Sequence, residues 1–195
     1  ISRYSHMMQQ GQAVSDILYL TPEGAPMVFA PPQDALFENG AIPDKKGYGF
    51  DGCSPKMLIE RADVKNGKIY FPGASSYEIM VLPNEKTMTP ELLRKIISLS
   101  EKGARIIGTP PDQSPSLSGY PNCDDLVKKL AKELSGKFLS NNGTESLYPS
   151  YKYTSELLAE LSISEDFSSM TNTIRYGHRK TEDKDIYFIA NRTDS

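Results

Sequence analysis

Two cysteines, two histidines and three loop carboxylates are the side chains whose type and setting could carry covalent or acid–base chemistry. A catalytic thiol has to be raised as thiolate on a tight strand-to-helix turn beside an imidazole. Cys53 lies in "FDGCSPKM", with its small residues before the cysteine rather than on both sides, and no strong strand runs straight into it. Cys123 follows "GYPN" at the start of a helical pattern, where the field of a helix amino terminus favours a thiolate. The imidazole partner would have to be His6 or His178, and neither has a carboxylate at catalytic-helix spacing. The reading favoured by the sequence is a pair of buried, structural cysteines. They are too few for a disulfide framework and lack metal-ligand spacing, with a single disulfide left open as the alternative.

Glycoside hydrolysis needs two acids on opposite sides of one sugar. The loop candidates are Glu23 in "TPEGAP", Asp51 in "GFDG" and Asp112 in "PPDQ", and nothing in their setting separates them from ordinary surface acids. Phosphate binding needs a glycine-rich turn opening a helix. "GTPPDQSPSLSGYP" has neither G-x-G-x-x-G nor G-x-x-x-x-G-K-[ST], and its prolines remove the N–H donors of a phosphate nest. It reads as a proline-stiffened loop that packs on a neighbour. His178 and Arg179 sit on the first arm of "RYGHRKTEDKDIYFIANR", a charged hairpin that is either solvated or reaches the surface of another domain.

The elements that must position these residues alternate along the chain. "VSDILYL", residues 14–20, is rich in β-branched and apolar residues and ends at "TPEG", as a central strand followed by a turn does. "YEIMVLP", residues 77–83, is a continuous apolar run bounded by proline, as strands covered on both faces are. "ARIIG" is a third parallel-type strand. "SPKMLIERA" starts with Ser54 as cap and Pro55 in the first turn, and "MTPELLRKIISLSEKG" runs from Thr89 and Pro90 to a stop at Gly103. "CDDLVKKLAKELSG" repeats that pattern up to Gly136, and "YTSELLAELSI" gives a last helix. Asn66-Gly67 marks a hairpin turn in "VKNGKIYFPG". Residues 136–155 read as polar and irregular. They hold Asn142-Gly143-Thr144, an acceptor pattern repeated at Asn191-Arg192-Thr193 and read as loop in both places.

Strand and helix in alternation predict an open parallel three-layer α/β sheet, flavodoxin-like or glutamine amidotransferase-like, with flanking helices, right-handed crossovers and a C-terminal β-hairpin. Residues 1–165 are assigned to that α/β domain. Residues 166–195 are a strand pair added at its edge or the start of a following β domain. The formal net charge of -3 gives no electrostatic case for nucleic acid, and no run of apolar residues is long enough to span a membrane. With no initiator Met or signal-peptide core at the start and a strand-like run at the close, the chain reads as a piece of a larger protein.

Four strings together resemble the bacterial α-L-rhamnosidases of glycoside hydrolase family 106. They are "RYSHMMQQGQAVSDILYLTPEG", "GYGFDGCSPKMLIERADVKNGKIYFPGASSYEIMVLP", "MTPELLRKIISLSEKGARIIGTPPDQSPSLSGYPNCDDLV" and "HRKTEDKDIYFIANR", and they cover nearly the whole chain. The resemblance implies a long periplasmic or secreted parent that releases rhamnose from plant polysaccharides, inverting configuration with two glutamates and assisted by calcium. Those groups belong to a (β/α)-barrel upstream, so no catalytic residue, cofactor or metal is carried onto this chain. The segment then resembles an amidotransferase-like α/β domain without its working triad, packed between the barrel and a β-sandwich. Relatives read Tyr-Asp-Phe-Asp where this chain has Tyr48, Gly49, Phe50 and Asp51, which leaves Asp51 as the acid there.

Three functional readings follow. The first is a non-catalytic accessory domain, which calls for a mixed or apolar patch at "GFDGCSP", at "TPPDQSPSLSGYP", or at "RYSHMMQQ" with its adaptable Met7 and Met8. Under it, Glu23, Asp51, Asp112, His178 and Arg179 are the candidates for a substrate cleft or an interdomain contact. The second is a stand-alone amidotransferase-like or hydrolytic enzyme using Cys53 or Cys123. The third, a carbohydrate-binding module, is disfavoured by scattered tyrosines and the lack of Trp.

Overall fold

A computed structural model describes residues 2–24, 28–37, 44–73, 75–134, 136, 138–139, 146–169 and 173–191. The Asn142-Gly143-Thr144 pattern lies outside the described residues, as do Arg192 and Thr193. In chain order the elements are α1 (Ser2–Met8), β1 (Gln12–Ala13), β2 (Ile17–Leu20), β3 (Leu36–Phe37), β4 (Asp44–Lys45), β5 (Phe50–Cys53), α2 (Pro55–Arg61), β6 (Asp63–Lys65), β7 (Lys68–Tyr70), β8 (Ser76–Tyr77), β9 (Ile79–Val81), α3 (Pro90–Glu101), β10 (Ile106–Ile107), α4 (Cys123–Leu134), α5 (Tyr151–Glu160), β11 (Ile174–Lys180) and β12 (Asp185–Asn191). Among the described residues, no helix is long and apolar enough to cross a membrane.

Every residue of β2, β9 and β10 is buried, so none of these strands has a solvent face. The pleat sends alternate side chains to opposite sides. Leu18, Leu20, Met80, Leu82 and Ile106 join a cluster with Leu58 of α2, Leu92, Leu93 and Ile96 of α3, and Val127, Leu130 and Leu134 of α4. Ile17, Tyr19, Ile79, Val81 and Ile107 join a second cluster with Phe50, Tyr148, and Tyr151 and Leu158 of α5. Helices therefore cover both faces, giving the three-layer α/β architecture. The four central strands are parallel in the order β10-β9-β2-β5. Counted along the chain this is 2-1-3-4, the flavodoxin-like order. Leu139 adds a parallel bridge to Ile107 on the outer side.

Local chemistry sets the ends of these elements. Ser54, Thr89 and Ser150 each accept a hydrogen bond from a first-turn N–H, those of Met57, Leu92 and Tyr153. Asn66 and Gly67 take φ of 54° and 76°, the left-handed pair of the tight turn joining β6 to β7. The helix read from Tyr153 onward already starts at Tyr151, because Ser150 caps it.

The strand read over 14–20 begins only at Ile17. Val14 instead donates its N–H to the His178 carbonyl, continuing a line that begins with β1 paired to β11. The final segment does not extend the parallel sheet. It forms a separate antiparallel sheet, β1-β11-β12, in which β11 and β12 pair along their whole length. Arg179 fastens this sheet to the N-terminal segment by donating to the carbonyls of Gln10 and Gly11.

Because Ile79 is fully buried in the second cluster, Ile79→Ala is expected to cost about 2–5 kcal/mol in urea unfolding. Leu117 is 80% exposed, so Leu117→Ala should stay within about 0.5 kcal/mol of the parent in the same measurement.

Candidate functional site

In open α/β sheets, ligands enter at the carboxyl ends of the strands, where the strand order reverses. Here that point lies between β2 and β9 and is covered by Tyr148 and Leu147. An open groove of about 520 Å³, lined by Glu23, Ser54, Pro55, Ile59 and Glu91, lies beside it, past the ends of β2 and β5. The Tyr148 hydroxyl donates to the Leu20 carbonyl, and the Asn84 N–H donates to the Leu147 carbonyl. The Tyr148 ring packs on Tyr19 at 4.9 Å between centroids. Glu23, placed just after β2, is spent on α3: its two carboxylate oxygens accept from the N–H and hydroxyl of Thr89 at 2.6 and 2.7 Å. A nucleophile elbow would hold a Ser or Cys on the turn directly after a central strand. After β9 the chain reads Leu82-Pro83-Asn84 instead. β5 does run straight into Cys53, but that thiol is buried, and Ser54 Oγ is taken up by the Met57 N–H as the cap of α2.

Of the other sequence candidates, Asp51, His178 and Arg179 line one cavity of about 330 Å³ between β5 and β11, while Asp112 and the two cysteines lie elsewhere. Asp51 lies within β5, 3.6 Å from Lys45 Nζ, and accepts from the Tyr77 hydroxyl at 3.2 Å. Asp112 is exposed, its N–H bonded to the Lys86 carbonyl. Both cysteines are free and buried. The Cys53 thiol sits in the apolar cluster and donates to the Ser54 carbonyl at 3.3 Å. Burial pushes it up to about 12, which removes the thiolate that a nucleophile needs. For Cys123 the polar neighbour is the Asp124 carboxylate at 4.0 Å, not an imidazole.

An open cavity of about 890 Å³ lies at the opposite, amino ends of the strands, between the parallel sheet and the hairpin. His178 crosses its wall with its side chain only 5% exposed. Nδ1 meets Asp166 Oδ1 at 2.6 Å and Nε2 meets Asp185 Oδ1 at 3.0 Å, so both ring nitrogens are engaged. Tyr187 stacks on the imidazole at 4.0 Å and donates its hydroxyl to Asp166 Oδ1 at 3.1 Å. Asp185 is held below the usual carboxylate range by His178 and, after it, Lys180. With no free ring nitrogen, His178 is a strut joining the hairpin to the connector after α5. It is not poised as a general base.

Asp16 stands at the floor of the same cavity, 9% exposed. Its Oδ2 accepts the Gly49 N–H at 3.0 Å, while its carbonyl accepts the N–H groups of Glu78 and Ile79. A Cβ at position 49 would come within 3.2 Å of Ser15 Cα and the Val14 carbonyl oxygen, so glycine lets the two strand starts approach. Burial raises the Asp16 carboxyl to about 6, and the charges of Asp166 and Glu78 add to that rise against the pull of the Gly49 N–H. Asp16, Glu78, Asp166 and Tyr187 escaped the sequence reading. An acid directly before an all-apolar strand was the available signal for Asp16, and "SISEDFSS" carries none for Asp166.

Because its folded-state value is raised, ionised Asp16 opposes folding above about pH 6, and protonation relieves that cost as pH falls toward 4. Asp16→Asn, whose amide oxygen can still accept from Gly49, should be more stable than the parent at pH 7.5 by on the order of 2 kcal/mol. The advantage should shrink on moving to pH 4.5. Urea unfolding of both proteins at the two pH values measures it, and an advantage independent of pH would show that Asp16 does not titrate in this range.

Comparison with known proteins now gives the fold its place. The chain is 38% identical over 193 residues to a protein of Formosa agariphila named putative beta-glucuronidase, covering 98% of this chain and 15% of that one. In structure it resembles a rhamnosidase from Novosphingobium sp. PP1Y, with a TM-score of 0.73 at 21% identity, over 97% of this chain and 18% of that one. The chain thus spans less than a fifth of the length of either protein. The family model for alpha-L-rhamnosidase, glycoside hydrolase family 106, matches residues 1–195, and the chain belongs to that family.

Proposed function

We propose that these residues form a non-catalytic accessory domain of a longer glycoside hydrolase, an α-L-rhamnosidase acting on plant polysaccharide. The observation that carries this reading is the filled switch point between β2 and β9. The fold has the strand order of a ligand-binding α/β domain, yet Tyr148 and Leu147 fill the switch point and Glu23 caps a helix. An amidotransferase-like scaffold that has lost its triad accounts for both features. The thiol-enzyme alternative loses support because Cys53 is held neutral in the core.

The carboxyl edge of the sheet carries apolar side chains exposed to solvent: Val28 after β2, Met57 in the first turn of α2, and Leu117 and Tyr120 in the loop after β10. Leu117 and Tyr120 are 80% and 73% exposed, more than a loop closing on its own domain would leave in water. In this reading the "TPPDQSPSLSGYP" loop packs on the catalytic barrel, and Asp112 within it is the acid best placed to approach an oligosaccharide. Glu23 and Asp51 are already committed to partners within the domain. The parent is secreted or periplasmic, and its calcium and catalytic glutamates lie outside this segment.

Hydrolysis of an aryl α-L-rhamnoside by the complete gene product, with an aryl β-glucuronide as the competing substrate, tests the reading. The rhamnoside should be turned over, and Leu117→Asp combined with Tyr120→Asp should lower the melting temperature of the complete protein by loosening the interface. Release from the glucuronide alone would replace the substrate assignment. Turnover by residues 1–195 alone, surviving repurification, would overturn the accessory role.

A further inference from the structure

The outer edges of the parallel sheet are each met by a donor from the same domain. Beyond β10, the Leu139 N–H donates to the Ile106 carbonyl at 2.9 Å. Beyond β5, the carbonyls of Gly49 and Cys53 face β2 and that of Phe50 faces away, where it accepts from Lys45 Nζ. The hairpin sheet is treated differently. β12 ends the order β1-β11-β12, and among the described residues no strand pairs with its far side. In an antiparallel pair, opposed residues alternate between exchanging two N–H···O bonds and turning those groups to the other side. The His178 carbonyl accepts from Val14 on the β1 side, so the His178–Tyr187 pair is of the second kind. Two residues on, so is Tyr176–Ile189. The N–H and C=O of Tyr187 and Ile189 therefore point away from β11, off the free edge.

That edge lacks the usual guards. A bare strand edge invites pairing with other chains, and proteins blunt it with short strands, proline, bulges or lysine. β12 runs seven residues, "DIYFIAN", in unbroken register with β11, and contains no proline, glycine or lysine. None of its residues is buried, and Tyr187 and Ile189, neighbours on one face, are 40% and 54% exposed. A row of outward backbone donors and acceptors is met most fully by another extended segment. Tyr187 and Ile189 call for apolar side chains at alternate positions along that segment. The matched proteins are more than five times as long as this chain. A strand tethered in the same molecule stands at roughly millimolar effective concentration, which favours it over a second copy.

We propose that β12 receives a further strand from a part of the parent chain outside residues 1–195, so that β1-β11-β12 is one side of a sheet shared with a neighbouring domain. The proposal rests on reading this chain as one domain of a longer protein. Main-chain hydrogen bonds to Tyr187 and Ile189 then hold the hairpin to that neighbour, at the end of the parallel strands opposite the exposed Leu117 loop.

Amide hydrogen exchange of the complete gene product, read residue by residue, tests the proposal. The amides of Ile186, Phe188 and Ala190 face β11 and are protected in either case. Those of Tyr187 and Ile189 should be slowed by on the order of a thousandfold relative to an unstructured chain, which a free edge does not provide. Ile189→Pro deletes one outward donor and should speed exchange at Tyr187 by about tenfold or more, while Ile189→Ala, which keeps the donor, should change it far less. Rapid exchange at Tyr187 and Ile189 in the unaltered protein would overturn the proposal. So would protection that disappears on dilution, the mark of a second copy, or a structure of the complete protein with a helix or irregular loop over β12. Aryl rhamnoside turnover is read separately, so a free β12 edge in an active rhamnosidase removes this inference and leaves the accessory role standing.

Discussion

Three parallel strands begin around one buried carboxyl group. Asp16 receives the Gly49 N–H from the start of β5 on its side chain, and its carbonyl receives the N–H groups of Glu78 and Ile79 at the start of β9. The register of β2 against both neighbours follows from that point, with Ile17 opposite Phe50 on one side and Ile79 on the other. A one-residue slip would exchange every inward side chain between the two faces. The two clusters would then have to accept each other's side chains, and a close-packed interior does not tolerate that. The raised carboxyl of Asp16 is the electrostatic cost of placing such a clamp in a dry location.

Two ends of one sheet have diverged in character. At the carboxyl end, aromatic packing around Tyr19, Phe29, Phe50 and Tyr148 and the Glu23–Thr89 cap fill the space where a doubly wound fold normally keeps a crevice. At the amino end, the β1-β11-β12 sheet stands off from the parallel sheet and leaves a polar cavity spanned by His178. The imidazole there works through hydrogen bonds on both nitrogens, which ties the hairpin to Asp166 and Asp185. A fold shared with ligand-binding domains thus persists with its usual site packed shut, and family membership alone does not supply a chemistry for it.

Much of the fold was legible from local pattern. Ser54-Pro55 and Thr89-Pro90 announced helix starts because a capping hydroxyl and a proline in the first turn act within a few residues. Asn66-Gly67 announced its turn because two left-handed residues in a row admit few other side chains. The strand read from residue 14 overshot, since Val14 is as apolar as a strand start but hydrogen-bonds to β11 rather than into the parallel sheet. The helix at Ser2–Met8 was missed, as its sequence has little apolar periodicity and Met8 packs its side chain against Gly177, far away in the chain.

The sequence by itself determined the alternation of buried strands and amphipathic helices, their caps and stops, and the family to which the chain belongs. These are written in short-range periodicity, or in strings long enough to be specific. The tertiary structure alone decided that Glu23 is a helix cap, that His178 turns inward between two aspartates, and that Asp16 and Asp166 share one cavity with Tyr187. Each depends on which distant segments meet. That is set by the packing of both sheet faces and the hairpin against one another, and no local spacing encodes it.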